Sequence, residues 1–394
     1  MTAERSPASP ALTPDPSAPQ PFSPQPDSPS SPRHERRHFL RHVGALLPVV
    51  GVLPALPALL AEQHARAAAG AGPSQPAQQP AAPVDKDKIP RRKLGRTGVE
   101  VSILGIGGHH IGITKTEDEA QNIIHEAIDS GINFFDNAWE YNEGRSEERM
   151  GKALKSGGRR DKVFLMTKVC THGRDAKEAM RQLEMSLRRL QTDHLDLWQV
   201  HEVVYDNDPD LHFKKGGVIE ALDLAKRQGK VRFVGFTGHK DPAIHLKMLA
   251  HDYPFDTCQM PLNVLDGSFR SFEQRVLPEL RKRGIAALGM KSLGGEGQIV
   301  KSGVVSIKDA LRYAMSLDVA TTISGIDSLQ ILRQNLAIAR GFVPMTDSEM
   351  QALRQRCAAV AGDGRYELYK TTKHFDADEG RKQHGFPLKK DEPT

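Results

Sequence analysis

Between residues 101 and 324, short apolar runs alternate with longer stretches in which apolar residues recur every three or four positions. The short runs predict strands at 101–107, 132–136, 162–168, 194–200, 231–237, 256–260, 285–290 and 319–324. The gaps are helical in pattern. The clearest is 117–130, where Ala120, Ile123, Ile124, Ala127 and Ile128 fall on one face. Thr116 and Glu119 have capping-box spacing, and Gly131 supplies a stop. Further helices are expected to start at Ser146, Asp175, Gly216, Asp241, Ser271, Ser306 and Ser328. Strands that are apolar on both faces belong in a parallel sheet covered by helices. Eight strand–helix units in roughly 250 residues predict an α/β chain folded as a closed, single-domain (β/α)8 TIM barrel. A doubly wound open sheet is the alternative. It is disfavoured because Gly105-Ile106-Gly107-Gly108-His109-His110 lacks a full G-x-G-x-x-G leading directly into a helix.

The first 90 residues do not follow this pattern. Residues 1–32 are dominated by Pro, Ser and Ala, too poor in apolar groups to build a core, and are expected to be disordered. Residues 33–70 place Arg36-Arg37 before Phe39-Leu40, a mildly apolar stretch from Val43 to Ala61, and small residues from Ala65 to Gly70. That order reads as a twin-arginine export signal, and so as export to the periplasm. The alternative is a basic tail beside an Ala/Pro-rich linker on a cytoplasmic protein. Pro48, Pro54 and Pro57 argue against a membrane-spanning helix. Residues 71–90 read as a linker, 91–345 as the barrel, and 346–394 as a C-terminal helix and tail packing on it. The aromatic-rich segment Gly362–Lys370 would cap the barrel or fold over its mouth, with packing the favoured reading.

The net charge of +5 is modest, and Arg33, Arg36, Arg37, Arg41 and Arg66 contribute to it from outside the barrel. No basic stripe with interleaved aromatics is present, which excludes a nucleic-acid surface of the usual kind. Cys170, Cys258 and Cys357 give neither a disulfide framework nor a C-x-x-C site. His109, His110, His172 and His239 lack the H-x-x-x-H spacing of a helical metal site and read as surface histidines, so no metal is expected.

Chemistry concentrates at the predicted strand ends. Asp136 closes the second strand and Tyr141 follows in its loop, while Lys168 closes the third strand and His201 the fourth. In a parallel barrel the carboxyl ends of the strands share one mouth, where catalytic groups collect. Adjacent strands lie about 4.8 Å apart, so the four side chains can meet. A phenol of ordinary pKa near 10 is a weak acid at neutral pH, and a neighbouring ammonium stabilises its phenolate. Asp136 would hold Lys168 charged, and His201 would donate to a substrate oxygen or relay the proton. The set suits protonation of a carbonyl oxygen as a hydride reaches its carbon.

With these residues in place, the chain resembles the aldo-keto reductase family over about 91–345. The resemblance rests on the opening Arg92–Ser102, on Phe135-Asp136-Asn137-Ala138-Trp139-Glu140-Tyr141 followed by Ser146-Glu147 and Gly151, and on Met166-Thr167-Lys168. Asp193–His201 and Ser324-Gly325-Ile326 leading to Gln334-Asn335-Leu336 complete it. It implies NADP as cofactor, with NAD possible, bound across the barrel mouth without a Rossmann fold. It implies Tyr141 as general acid/base supported by Asp136, Lys168 and His201. Gly107 at the first strand end would bind the cofactor, and Gln259, ending the sixth strand, would contact the nicotinamide amide. Ser328 and Asn335 match the adenosine side, and Gly325 lets the phosphates approach the backbone.

Departures from the family pattern are local. Thr237-Gly238-His239 stands where Ser-Asn is common, and Met290-Lys291-Ser292-Leu293 where an aromatic residue precedes Ser-Pro-Leu. A thioether would then touch the nicotinamide in place of a stacked ring. Ile331 occupies the position where an Arg often grips a 2′-phosphate, and Arg333 is expected to point elsewhere on its helix. The implied function is an NAD(P)-dependent oxidoreductase interconverting a small aldehyde, ketone or sugar carbonyl and its alcohol. The alternative is a dinucleotide-binding sensor with negligible turnover. Trp139 would wall the substrate pocket or pack its loop. The iron–sulfur module of some family members is excluded by the single Cys357 beyond the barrel.

Overall fold

The computed structural model describes residues 85–170, 175–383 and 385–391. The proposed disordered segment, the export-like segment, most of the linker and His172 lie outside the described residues.

Eight parallel strands close into a barrel. They are β3 (Leu104–Gly107), β4 (Phe134–Asp136), β5 (Phe164–Val169), β6 (Leu195–Val203), β7 (Val231–Gly238), β8 (Thr257–Pro261), β9 (Ala286–Met290) and β10 (Thr321–Gly325). Each pairs with the next in chain order, and β10 returns to β3 through Thr322 to Gly325 opposite Leu104 to Gly107. That last pairing rules out the open sheet. The turn after β3 does run straight into a short helix, Gly108–Ile113, contrary to the expectation used against the open sheet. Gly108 permits it: a Cβ there would meet the Asp136 carbonyl oxygen at 2.4 Å.

The predicted strand 101–107 is two elements. Glu100–Ser102 forms β2, which pairs antiparallel with β1 (Arg91–Lys93), and only Leu104–Gly107 enters the barrel. Ser102 breaks the run. Its hydroxyl donates to the Leu104 carbonyl (2.7 Å), while its backbone N–H donates to Asn133 Oδ1 (2.7 Å). The hairpin has a use that the sequence did not disclose. Leu94 and Val101 are fully buried and cluster with Phe134, Phe164, Met166, Leu197 and Leu288 inside the barrel. Arg96 N–H bonds the Gly284 carbonyl at the amino end of β9 (3.1 Å). The amino-terminal end of the barrel is therefore plugged, which leaves the carboxyl end for chemistry.

The outer helices follow the predicted faces. Helix Glu117–Asp129 buries Ala120, Ile123, Ile124, Ala127 and Ile128. Thr116 caps it by accepting from Glu119 N–H (3.1 Å), but Glu119 Oε2 turns to the Lys115 N–H instead of closing the box. Asp175, Asp241, Ser271, Ser306 and Ser328 each cap a helix through the side chain. Ser146 does not: its helix begins at Arg145, and its hydroxyl donates to the Gly108 carbonyl (2.5 Å). The helix expected at Gly216 begins at Val218. Beyond helix Asp347–Ala361 the tail lies against the loops that follow β6 to β9. Lys370 pairs with Asp266, Asp376 with Lys240, and the Ala377 N–H with Glu202.

Candidate active site

Lys168 is the hub of the mouth. It is the penultimate residue of β5 with 1 % of its surface exposed, and its Nζ donates to Asp136 Oδ1 (2.5 Å), the Asn137 carbonyl (2.7 Å) and Tyr141 Oη (3.1 Å). A buried ammonium keeps its charge only with such partners, and loss of hydration still lowers its pKa against the pull of Asp136. Asp136 reaches it from β4, one strand away. Tyr141 is half-buried and stands edge-on to two imidazoles, His201 (ring centroids 5.9 Å apart) and His109 (5.4 Å). Asp136, Tyr141, Lys168 and His201 are thus brought together.

The electrostatics differ from the sequence argument in one respect. A neighbouring ammonium was expected to ease ionisation of the phenol, yet the Tyr141 pKa lies well above 10. Burial is the first cause, and the carboxylates Asp136, Glu140 and Glu202 add to it. Tyr141 therefore rests as a neutral phenol, a donor rather than a phenolate.

The residues expected around a dinucleotide line the same end of the barrel with unequal freedom. Gln259 is buried on β8 opposite Thr237 of β7; its amide N–H reaches Met290 Sδ (3.7 Å), and its Oε1 has no hydrogen-bond partner among the described residues. Gly107 and Gly325 face each other at the ends of β3 and β10. A Cβ on Gly325 would strike the His110 ring at 2.3 Å, so this imidazole occupies the space above the glycine. Ser328 caps helix Leu329–Ala339 by accepting from Ile331 N–H (3.4 Å). Asn335 is buried and donates to Ser324 Oγ (3.0 Å), which is a structural use. Lys291 follows Met290 with a left-handed φ of 55° and sets its ammonium over the rings of Phe375 (4.6 Å) and Tyr369 (5.4 Å). Loss of hydration pushes its pKa down to about 8. Ser292 is buried and Leu293 packs on the core. Arg333 makes a two-pronged pair with Glu126 (2.8 Å each), away from the position held by Ile331.

Comparison with known proteins settles the family. A sequence profile of the Aldo/keto reductase family matches residues 103–306, more than half of the 394-residue chain. The chain belongs to the aldo/keto reductase family. It is 34 % identical over 223 residues to the uncharacterized oxidoreductase YrpG of Bacillus subtilis, covering 51 % of this chain and 66 % of that one. It is 35 % identical over 213 residues to the aldo-keto reductase YhdN of the same organism, covering 51 % and 61 %. With the L-galactose dehydrogenase of Arabidopsis thaliana the identity is 32 % over 159 residues, covering 38 % and 49 %. The chain therefore spans about half to two thirds of the length of these relatives. Among solved structures, an aldo-keto reductase of Bacillus halodurans in its holo form superposes with a TM-score of 0.58 at 25 % identity. The match covers 71 % of this chain and 99 % of that one.

Around the shared barrel mouth, this aldo/keto reductase carries groups that sequence reasoning passed over. Glu140, directly before Tyr141, lies 2.7 Å from His201 Nδ1 and accepts from Cys170 Sγ (2.5 Å). Glu202 contacts His239 Nε2 (2.5 Å) and accepts the Ala377 N–H (2.9 Å). His239 is no surface histidine: it is 3 % exposed, and its Nδ1 faces the Tyr369 carbonyl (3.1 Å). The signal available for Glu140 and Glu202 was two acids each adjacent to a tetrad residue. The aromatic residues of the tail pointed to packing on the barrel or its mouth, but nothing local paired the tail with Glu202 or His239.

Proposed function

We propose that this chain is a nicotinamide-dinucleotide-dependent oxidoreductase that interconverts a small carbonyl compound and its alcohol. The observation that carries this reading is the Lys168 ammonium bound at once to Asp136 and to the Tyr141 hydroxyl, at the end of the barrel opposite the hairpin. The fit to a dinucleotide is supported by the unpartnered Gln259 Oε1, a buried acceptor suited to a carboxamide N–H, and by the close backbone at Gly107 and Gly325. Met290, Lys291, Ser292, Leu293 and Thr237 would line that cofactor, and Ser328 would lie toward its adenosine. When bound in reduced form the nicotinamide supplies a hydride to the carbonyl carbon.

The protein's own part is proton handling. Tyr141, neutral at rest, donates its hydroxyl proton to the carbonyl oxygen as negative charge develops there. Lys168 stabilises the phenolate left behind, and Asp136 keeps the ammonium aimed. His201 borders the same oxygen. NADP is the proposed dinucleotide. NAD remains the alternative, because Ile331 offers no charge for a 2′-phosphate and Arg333 is held by Glu126. The tail, with Tyr369 and Phe375 beside Lys291, closes part of the mouth around a small substrate.

A second reading is a binding protein without turnover, favoured by the His110 ring standing against Gly325. One experiment separates the two. Purified protein is offered NADPH and NADH with a panel of aldehydes, ketones and sugars, and the absorbance of the reduced dinucleotide is followed. Tyr141→Phe should abolish turnover while dinucleotide binding stays nearly intact. Full turnover in that variant refutes the assignment, and tight binding with no turnover in the wild type favours the sensor. Export of the folded protein through residues 33–70, with its dinucleotide already loaded, is part of the proposal.

A further inference from the structure

His201 sits between two carboxylates, and they meet it on different edges. Glu140 Oε1 lies 2.7 Å from Nδ1, and Glu202 Oε2 lies 3.9 Å from Nε2. Only the first is within hydrogen-bond range. The Glu140 contact is off the ring N–H direction, so it is an ion-pair contact and not an aligned hydrogen bond. It nevertheless fixes which edge faces the acid. The negative charge beside Nδ1 favours the form of the ring that carries its proton on that nitrogen. Burial alone would raise the Glu140 pKa, yet His201 and the Cys170 thiol together hold it below the usual range.

The other neighbours are already engaged. Glu202 is held by His239 and the Ala377 N–H, and Lys168 by Asp136 and Asn137. Of the groups facing the His201 ring, Glu140, backed by Cys170, stands on the Nδ1 side and Glu202, backed by His239, on the Nε2 side. Tyr141, backed by Lys168, stands edge-on at 5.9 Å. Nε2 is the ring nitrogen without a short contact.

We infer that Glu140 is a positioning residue: it holds His201 with its proton on Nδ1, leaving Nε2 as the store for the Tyr141 proton. When an alcohol is oxidised, its hydroxyl proton passes to Tyr141 Oη, the phenol's own proton passes to His201 Nε2, and the carbon-bound hydrogen leaves as hydride to the oxidised dinucleotide. Carbonyl reduction runs the same steps backwards. The imidazolium formed in oxidation is stabilised by the Glu140 carboxylate, as an acid behind a catalytic histidine does elsewhere. Tyr141 needs such an acceptor because it holds its proton tightly. The inference rests on the reading of Tyr141 as the acid/base of a hydride-transfer site.

The test compares wild type, Glu140→Gln, Glu140→Asp and Tyr141→Phe as full-length proteins. Each is assayed with NADP and a panel of primary and secondary alcohols across pH, with NADP binding followed by tryptophan quenching. Glu140→Gln keeps the size and polarity of the side chain beside Nδ1 but removes the charge. Its kcat for oxidation should fall about 10-fold or more, with KM and NADP binding unchanged. The acid limb of its kcat profile should move to lower pH, because the imidazolium loses its counter-charge. Glu140→Asp should restore the limb. A Glu140→Gln enzyme with wild-type kcat and pH profile, in a protein that Tyr141→Phe inactivates, overturns the inference alone. Turnover surviving in Tyr141→Phe overturns the reading beneath it.

Discussion

Replacing Lys370 by Met tests how the tail is held over the barrel mouth. The Lys370 ammonium is fully buried and donates to Asp266 Oδ1 (2.7 Å) and the Phe269 carbonyl (2.7 Å), with Glu367 Oε1 at 2.9 Å. Met preserves the length and apolar stem of the side chain, so packing near Phe272 changes little and the charge is what disappears. Removing one partner of a buried ion pair costs about 3–5 kcal/mol, because the remaining charge is left uncompensated. The lower end applies here. Asp266 keeps the N–H groups of Phe272 and Glu273 and the Ser271 hydroxyl, and Glu367 keeps the Tyr369 hydroxyl and the Asn263 amide. A loss of about 3 kcal/mol corresponds to a fall of about 6 °C in Tm for a barrel of this size.

The pH dependence has a definite sign. Burial already raises the Asp266 and Glu367 pKa values above their ordinary ones, with Lys370 opposing the rise in both. Without Lys370 they rise further. A carboxyl whose folded-state pKa exceeds its unfolded one destabilises the fold progressively as pH climbs through that interval. The Tm deficit of Lys370→Met should therefore be larger at pH 8 than at pH 5, measured by circular dichroism melting. Limited proteolysis at both pH values separates local undocking of the tail from global unfolding. A Tm within about one degree of wild type at pH 8, with an equally resistant tail, would refute the argument that this buried pair anchors the tail.

Gln259→Leu removes an unsatisfied buried carbonyl, so its Tm should hold or rise, while NADP binding measured by fluorescence quenching should weaken about 10-fold. Unchanged affinity would remove Gln259 from the dinucleotide site. Tyr141→Phe should abolish turnover with binding retained, as set out above. Replacing Arg36 and Arg37 with Lys should leave the protein in the cytoplasm at full precursor length, read by fractionation and blotting. An unchanged distribution would show that the paired arginines are not recognised.

The barrel was legible because its evidence is local and repeated. Each strand is a short apolar run and each helix a periodic one, so eight weak signals add. Capping positions such as Asp175, Asp241 and Ser306 were readable for the same reason, since a cap acts within three residues. Errors arose where a side chain redirected the backbone. Ser102 splits what reads as one apolar run, and Ser146 spends its hydroxyl on Gly108 across 38 positions instead of capping its own helix. The convergence of Asp136, Lys168 and His201 followed from fold topology, because adjacent parallel strands bring their carboxyl ends to one rim, although β5 and β6 run on to Val169 and Val203, past the residues expected to close them.

What escaped the sequence is the charge network behind the tetrad, and the reason is separation along the chain. Asp376 reaches Tyr205 across 171 positions, Ala377 reaches Glu202 across 175 and Tyr369 reaches His239 across 130. No periodicity or motif links such pairs. Each of these acids and histidines reads in the sequence as an exposed polar side chain, yet Glu202, His239 and Asp376 are all buried where the tail meets the barrel. Their burial in turn raises the proton affinity of Tyr141, because Glu140 and Glu202 join Asp136 in opposing a phenolate. A tetrad read in isolation predicts a phenol eased toward ionisation by its lysine. The same tetrad under a tail that excludes water is a phenol held neutral. The tail thus acts on the chemistry without touching the reacting oxygen, by setting the dielectric and the carboxylates that surround Tyr141. Any change that undocks it, Lys370→Met included, should lower the Tyr141 pKa toward its ordinary value and shift the pH profile of turnover in the same direction.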